Sequence, residues 1–314
     1  MSGESLRVGL VVPTLNAGPA WPDWIEALKR QTRYPDRVVV IDSSSTDDTR
    51  RVALGAGLEV VPIPAAEFDH GATRQQGVDL IAADVSIALF LTQDAELADP
   101  HAIEQLLAVF ADPAVACAYG RQLARSSHSA IARHHRSYNY SNESRCVDKT
   151  ALSSEGLRAA FCSNSFAAYR IDALNDVGGF PSPVVYGEDM LAALKLLQAG
   201  YRKCYVPSAC VWHAHDYTLR QEFRRYFDMG VMHSSEPALE TLKGQASSTG
   251  RAFVKSEIRT VAGGKWATTA SLIFRNGMRY LGYQLGKRFK QIPKSVSTAM
   301  SMNPRYFSVD GRRS

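Results

Sequence analysis

Short apolar runs alternate with helical patterns in the first half of the chain, and this alternation restricts the fold more than any other feature. Residues 7–12, 37–41 and 86–91 are rich in Val, Ile and Leu and end in polar residues, which is typical of strands buried on both faces. Residues 23–31 and 47–56 between them have helical spacing. Strands separated by single helices form βαβ units. The sequence therefore predicts an α/β fold: an open, mostly parallel, Rossmann-like sheet flanked by helices.

Polar residues follow these strands at the edge where open parallel sheets bind ligands. Asp42 ends the second strand, where its carboxylate can accept a hydrogen bond from the imide N–H of a uracil or thymine base, or can cap the next helix. Asp94 follows the third strand and either binds Mg²⁺ or Mn²⁺ together with a nucleotide diphosphate or lies in a surface turn. The other candidates for nucleotide contacts at this edge are Pro13, Thr14, Asn16, Ser44 and Gln93.

Two acidic residues and two histidines follow later in the chain. Glu188 and Asp189 begin a predicted helix, where acids suit the helix dipole but can also supply a general base. His213 and His215 point the same way on an extended segment, so they are candidate metal ligands, with a structural role as the alternative. Three arginines are weaker candidates for contacts with phosphate: Arg74, Arg224 and Arg225.

Charge is unevenly divided along the chain. Residues 251–314 carry a net charge of +11, which leaves −6 for the first 250 residues of a chain whose total is +5. Residues 271–294 alternate apolar and basic side chains, which predicts either an amphipathic helix on anionic lipid or a helix that packs on the domain or contacts another subunit. A nucleic-acid-binding tail is the rival class, but the acidic remainder of the chain argues against it.

Several other classes are excluded by what the sequence lacks. Five cysteines without a C-x-x-C pair indicate neither a disulfide framework nor a zinc knuckle, which favours a reducing, cytoplasmic compartment. We find no signal-peptide pattern and no apolar run of the ~18 residues that a spanning helix needs. Hydrolase and Walker motifs are absent, which leaves a sugar nucleotidyltransferase as the nearest enzyme alternative. Residues 121–161 are polar and predict a helix and a mobile loop, with His134 and His135 at the surface.

Six short motifs, taken in order, resemble those of the inverting glycosyltransferase family 2, and most closely its bacterial rhamnosyltransferases. The resemblance extends over residues 8–234. It implies a GT-A catalytic domain at 1–234, with the nucleotide-sugar part at about 1–120 and the acceptor part at 121–234, followed by a basic helical extension at 235–314. The motifs lie at residues 11–16, 40–47, 68–74, 91–95, 186–189 and 213–217.

This resemblance implies a role for each matching residue. Asp94 matches the metal-binding end of the D-x-D motif, and Asp189, beside Glu188, matches the catalytic base of the E-D motif. His213 or His215 matches a late histidine that helps to bind metal or diphosphate. The positions that match nucleotide contacts are Pro13, Asn16 and Asp42.

Residues 68–74 look like the F-(N/D)-H-G-x-T-R signature of enzymes that use dTDP-L-rhamnose, which adds His70, Gly71 and Arg74 to the donor site. Thr92 replaces the first Asp of D-x-D, as in the rhamnosyltransferase branch. The resemblance thus implies transfer of L-rhamnose from dTDP-L-rhamnose to an oligosaccharide or lipid-linked saccharide of a surface polysaccharide such as O-antigen. Another nucleotide sugar is the alternative donor. The tail would then place a cytoplasmic enzyme on the inner face of the cell membrane, and a homo-oligomer is left open.

Overall fold

The computed structural model describes residues 6–240, 242 and 246–308. The strands are β1 (Val8–Thr14), β2 (Arg37–Asp42), β3 (Glu59–Pro62), β4 (Ile87–Leu91), β5 (Glu96–Leu97), β6 (Val115–Leu123), β7 (Arg145–Val147), β8 (Phe166–Arg170) and β9 (Arg202–Trp212). Residues 1–5, on which the signal-peptide argument depends, and Arg312 and Arg313 of the basic tail lie outside the described residues.

The helices surround this sheet and fill most of the last third of the chain. They are α1 (Trp21–Lys29), α2 (Thr49–Gly55), α3 (His70–Ile81), α4 (Ala102–Leu107), α5 (Ala130–Asn139), α6 (Thr150–Glu155), α7 (Leu157–Ala160), α8 (Ile171–Asp176), α9 (Glu188–Gln198), α10 (Leu219–Ser235), α11 (Pro237–Glu240), α12 (Ala246–Glu257), α13 (Trp266–Gly286) and α14 (Lys294–Met300).

All nine described strands belong to one sheet, in the order β3-β2-β1-β4-β8-β6-β9-β5, with β7 also paired to β9. The first four strands are parallel, and β8 then pairs antiparallel with both β4 and β6. The predicted open α/β sheet flanked by helices is confirmed. Its parallel half is the part that the alternation of strands and helices predicts, and its other half is mixed.

The central strands are buried because helices cover both faces of the sheet. Leu10 points to one face and joins the cluster that contains Leu28 of α1. Val11 points to the other face and joins the cluster that contains Val78 of α3. A Cβ atom at Gly77 would lie 2.3 Å from Cγ1 of Val11, so α3 needs glycine there to approach the strand. Each fully buried Leu or Val adds roughly 1.5–3 kcal/mol to this core.

Helix α13 packs along α10 through glycines. A Cβ at Gly286 would lie 2.0 Å from the carbonyl oxygen of Phe227, and one at Gly282 would lie 2.4 Å from that of Phe223. Only glycine permits the two backbones to come this close. Of the alternatives for residues 271–294, packing on the domain is therefore observed for one face of the helix. No helix in the described part of the chain combines the length and apolar character needed to cross a membrane.

The cysteine pattern and residues 121–161 need correction. Cys146 of β7 and Cys204 of β9 form a disulfide, because these antiparallel strands place the two residues directly opposite each other. The pair is 58 residues apart in sequence, so the spacing gives no sign of it. Residues 121–161 contain ordered elements from the end of β6 to α7. His134 is buried, with Nε2 3.0 Å from Oγ of Ser256, since α12 covers the face of α5 that was expected to meet solvent.

Candidate active site

The order of the strands brings the ends of five of them to one edge of the sheet. Because β8 is antiparallel to both β4 and β6, and β9 is parallel to β6, the strands β6 and β9 run in the same direction as β1, β2 and β4. Asp94 follows β4, Gln122 lies near the end of β6, and His213 follows β9 directly. Residues distant in sequence therefore meet at the edge where the sequence predicts a ligand site.

Asp94, His213 and His215 form a cluster with metal-ligand chemistry. Each offers a ligand atom, and these atoms lie within 4.8 Å of one another. Nε2 of His213 and Nε2 of His215 are each 3.5 Å from one oxygen of Asp94, as the alternation of the two histidines predicts. A carboxylate with two imidazoles suits a divalent transition metal such as Mn²⁺. Asp94 is half exposed, so a diphosphate can reach the same ion.

The charge states of these side chains at neutral pH suit a bound cation. Burial opposes ionisation of Asp94, but the hydrogen bond and charge of His213 outweigh it and lower the pKa of the carboxyl. Burial, followed by the neighbouring His213, lowers the pKa of His215 to about 4. The carboxylate is thus charged and the imidazole of His215 is neutral at neutral pH, which are the forms that bind metals. The residues present fit a divalent cation.

Gln122 orients His213 from the side opposite the cluster. Its Oε1 lies 2.8 Å from Nδ1 of His213 and 2.6 Å from Nη1 of Arg136. A guanidinium can only donate, so the atom facing Arg136 is the amide oxygen, and Nδ1 of His213 must donate to it. Nε2 of His213 is then the ring atom that donates to Asp94 when it is protonated and that binds a cation when it has lost this proton. Gln122 is buried and therefore fixes both the tautomer and the ring orientation.

Glu188 and Asp189 begin helix α9. Asp189 accepts hydrogen bonds from the backbone N–H of Asn164 at 3.0 Å and from that of Met190 at 2.8 Å. Burial raises the pKa of Asp189 to about 7, and the negative charge of Glu188 adds to the rise. Glu188 is buried against Arg74, whose Nη1 is 3.1 Å from Oε1. Although burial opposes it, the charge of Arg74 lowers the pKa of Glu188, so one acid is held ionised beside another that titrates near neutrality.

One connected path links Asp189 to the metal-ligand cluster. Asn164, which donates to Asp189, follows Ser163, and Oγ of Ser163 accepts a hydrogen bond from Nε2 of Gln122 at 2.8 Å. The other end of the Gln122 amide meets His213. Sequence reasoning missed Gln122, Ser163 and Asn164. A polar residue near the end of a strand is a usable signal for Gln122, but only once β6 has been recognised within residues 121–161.

The loops after β1 and β2 are tied to each other by the predicted nucleotide-binding residues. Asp42 has no exposed surface, and it accepts from Oγ1 of Thr14 at 3.2 Å and from the N–H of Ser45 at 3.0 Å. Oδ1 of Asn16 accepts from the N–H of Thr46 at 2.8 Å. The predicted direct contact between Asp42 and a base would need this loop to move. Its predicted alternative, a cap on the next helix, is not observed, because α2 begins only at Thr49.

Gln93 and Ser44 complete this framework. Gln93 makes two hydrogen bonds to the backbone of Leu15, at 2.8 and 3.0 Å, and Oγ of Ser44 donates to the carbonyl of Ile63. Ser44 and Asn16 have φ values of 66° and 49°, a left-handed conformation that non-glycine residues rarely adopt and that clusters at ligand sites. Pro13 pairs with Ile41 in the parallel ladder. These side chains therefore fix the conformation of the loops at this edge of the sheet.

The motif at residues 68–74 connects α3 to the segment that precedes Glu188. Asp69 caps α3 by accepting from the N–H groups of Gly71 and Ala72, and it also accepts from Oγ of Ser182 at 2.8 Å. A Cβ at Gly71 would lie 1.8 Å from the carbonyl oxygen of Pro181. His70 lies beside Arg74, whose Nη1 also donates to the His70 carbonyl at 3.0 Å. The motif therefore positions the acidic pair through Arg74.

Two other predicted arginines are separated by the structure. Arg225 lies over the rings of Tyr186 and Tyr217, 5.1 and 5.6 Å from their centroids, next to the acidic pair and the late histidines. Nη2 of Arg224 instead donates to the carbonyl of Ala299 at 2.8 Å. Successive residues of a helix point in directions about 100° apart, so the pair cannot serve one phosphate together. Arg225 therefore lies at the site, whereas Arg224 binds the C-terminal segment.

A cavity of about 240 Å³ adjoins the metal-ligand cluster. His215 and Tyr217 form part of its wall, and Arg275 of α13 forms another part. Arg275 is held in place by Glu222 at 2.9 Å and by the carbonyl of Tyr217 at 3.2 Å. The C-terminal helices thus contribute directly to the surroundings of the site.

Comparison with known proteins agrees with this arrangement. The family model described as glycosyl transferase family 2 matches residues 10–178. The chain is 39% identical over 304 residues to the O-antigen chain rhamnosyltransferase RfbN of Salmonella typhimurium, covering 96% of both chains. It is also 39% identical over 300 residues to the O-antigen chain rhamnosyltransferase WbaN of Salmonella anatum, covering 95% of both.

Solved structures show the same fold at low sequence identity. A mannosyltransferase from Pyrobaculum calidifontis, in complex with GDP-Man and Mn²⁺, superposes with a TM-score of 0.57 at 18% identity and covers 97% of this chain and 86% of its own. S. aureus TarS 1–349, in complex with UDP-GlcNAc, gives a TM-score of 0.56 at 16% identity and covers 98% and 90%. The architecture is shared across these distant chains.

Proposed function

Because this chain belongs to glycosyl transferase family 2 and has the GT-A fold, we propose that it transfers L-rhamnose from dTDP-L-rhamnose to a saccharide acceptor of an O-antigen-type polysaccharide. The relatives that are 39% identical over nearly the whole chain are O-antigen chain rhamnosyltransferases, which supports the sugar and the class of acceptor. The dTDP-rhamnose signature at residues 68–74 supports the donor. The connected path from Asp189 through Ser163 and Gln122 to His213, which lies beside Asp94, is the observation that carries the catalytic assignment.

The proposed reaction is a single displacement with inversion. The oxygen of an acceptor hydroxyl forms a bond to the anomeric carbon of rhamnose, and the bond from that carbon to the diphosphate oxygen breaks. The diphosphate leaves with the electron pair, and Asp189 accepts the proton of the hydroxyl. A base whose pKa is about 7 is about half ionised at pH 7, which suits this role. Asn164 and Met190 hold its two oxygens in place.

Asp94, His213 and His215 are proposed to hold Mg²⁺ or Mn²⁺, which when bound supplies positive charge to the diphosphate. Gln122 keeps Nε2 of His213 directed at this cluster, and Arg225 adds a second positive charge nearby. The donor's nucleotide is proposed to lie over the loops after β1, β2 and β4, beside the start of α3. The residues that shape this part of the donor site are Pro13, Thr14, Asn16, Asp42, Ser44, His70, Gly71, Arg74 and Gln93.

A thermal-shift panel of nucleotide sugars, with and without Mn²⁺ or Mg²⁺, tests the donor, since a ligand that binds only the folded state raises Tm. We expect dTDP-L-rhamnose with metal to stabilise the protein more than UDP- or GDP-sugars do. The Asp189→Asn variant should keep this stabilisation and lose transfer by roughly 10²–10⁴-fold. Near wild-type turnover in that variant would remove Asp189 from the role of base, and equal stabilisation by all nucleotide sugars would contradict the donor.

A further inference from the structure

Helix α13 presents an apolar face to solvent, opposite the face that packs on α10. Trp266 is 81% exposed, and the large side chains about two and four turns further along this face are also exposed. At 100° per residue these positions fall within one sector of the helix, and the buried Leu272, Arg279, Gly282 and Gly286 fall on the other side. The exposed apolar face consists of Trp266, Ile273, Phe274, Tyr280 and Leu281.

The charged side chains of this helix and of the segment that follows it have one sign. The sequence contains no Asp or Glu from residue 258 to residue 309. Lys265 is exposed at the start of α13, and Lys287, Arg288 and Lys290 are exposed just after its end. An apolar face bounded at both ends by exposed cations matches the chemistry of a bilayer surface, where acyl chains lie beneath anionic headgroups.

From this arrangement we infer that the exposed face of α13 binds the surface of an anionic membrane. The helix lies in the plane of the headgroups, with Trp266, Ile273 and Phe274 inserted among the acyl chains and the flanking cations on the headgroups. A helix of 21 residues is about 30 Å long, so several headgroups contact its length.

The same charges argue against a second copy of this chain as the partner. Because cations lie at both ends of the helix, pairing two such faces brings like charges together whether the helices run parallel or antiparallel. Like charges in contact are unfavourable, whereas an anionic lipid surface neutralises them. The observations therefore favour a membrane over self-association.

The biological meaning of this inference rests on the proposed function. Arg275 of the same helix lines the cavity beside His215, so α13 reaches the proposed active site. Glu222 on α10 binds Arg275 at 2.9 Å and Arg279 at 2.7 Å, and Glu257 holds Arg279 at 3.0 Å. These buried ion pairs fix the helix rigidly against the catalytic domain. A helix seated on the membrane would therefore hold the active site close to a lipid-linked saccharide acceptor.

The test is flotation of the full-length protein with vesicles of phosphatidylglycerol and phosphatidylcholine at low salt, with pure phosphatidylcholine vesicles for comparison. We expect flotation with the anionic vesicles only, and its loss as salt screens the charges. The double variant Ile273→Glu, Phe274→Glu should weaken binding by at least about tenfold. Leu54→Glu is the matched control, since Leu54 is 58% exposed on α2 and should float as the wild type does.

Trp266 provides a second measurement on the unmodified protein. Trp21 and Trp24 are buried and Trp212 is partly buried, so a blue shift on adding anionic vesicles, and quenching by brominated lipids, report insertion of Trp266 when both are lost in Trp266→Phe. Failure of the wild-type protein to float, or equal flotation of the double variant, would overturn the inference. So would a dimer in sedimentation analysis that the double variant dissociates, since that face would then be a subunit contact. These measurements involve no catalysis, so they are independent of whether dTDP-L-rhamnose is the donor.

Discussion

Replacing Glu188 by Gln should move the pH dependence of transfer to lower pH. The pKa of Asp189 rises from 3.8 to about 7, through burial first and the charge of Glu188 second, and this rise corresponds to about 4 kcal/mol at 1.36 kcal/mol per pH unit. Gln keeps the size of the side chain and an oxygen for Arg74, but it removes the negative charge. Arg74, no longer neutralised, then favours ionised Asp189 further. Both effects lower the pKa of Asp189, by about 1 unit or more.

The assay is kcat/KM between pH 5 and pH 9, with the rhamnosylated product quantified by mass spectrometry. In the wild type, kcat/KM should rise with pH and level off above about 7, because Asp189 must be ionised to accept a proton. In Glu188→Gln this rise should be centred at least about 1 pH unit lower, with a lower plateau because a weaker base removes the proton less readily. Glu26→Gln, an exposed change on α1, should leave the profile unchanged. A profile that stays at 7 or moves upward in Glu188→Gln would refute the argument.

Two further substitutions test the supports of the site. Gln122→Leu should weaken Mn²⁺ binding about 10–100-fold in calorimetric titration, because His213 loses the acceptor that orients it. The exposed Gln76→Leu is the control and should leave the affinity for Mn²⁺ unchanged. Unchanged affinity in Gln122→Leu would argue that the ring of His213 is fixed by packing alone. Gly71→Ala should lower the free energy of unfolding in urea by about 1–3 kcal/mol, because the new Cβ meets the carbonyl of Pro181. Gly55→Ala, which meets no atom within 4 Å, is its control, and equal stability of the two variants would contradict the contact.

Local patterns were sufficient for the parallel half of the sheet and for the metal-ligand cluster. The strands before Asp42 and Asp94 are fully apolar, which only a sheet covered on both faces explains. His213 and His215 continue from the end of β9, where alternate side chains share a direction, and the structure places their Nε2 atoms 3.0 Å apart. In each case the pattern that gives the prediction lies within a short stretch of sequence, although only the fold brings Asp94 to the two histidines.

The remaining parts depend on contacts between distant segments. The antiparallel strand β8 joins β4 to β6, and no periodicity within β8 specifies those neighbours. Gln122 and Asn164 are 42 residues apart, yet Ser163 connects them. Their amide and hydroxyl groups resemble those of any polar loop until the fold brings them between Asp189 and His213. Apart from the position of Gln122 near the end of a strand, a single sequence contains no local signal for such an arrangement.

The donor signature shows how a local pattern and its physical role can differ. In residues 68–74 the sequence predicts contacts with the donor, but the described side chains act mainly on the protein itself. Asp69 and Gly71 fasten the start of α3 to the segment at 181–182, and Arg74 neutralises Glu188. Without that cation, the buried Glu188 would tend to take up a proton, and its effect on the pKa of Asp189 would be lost. Under the proposed function, residues 68–74 would both bind the donor and set the ionisation of the base, and Arg74 is the residue in which these two requirements would be combined.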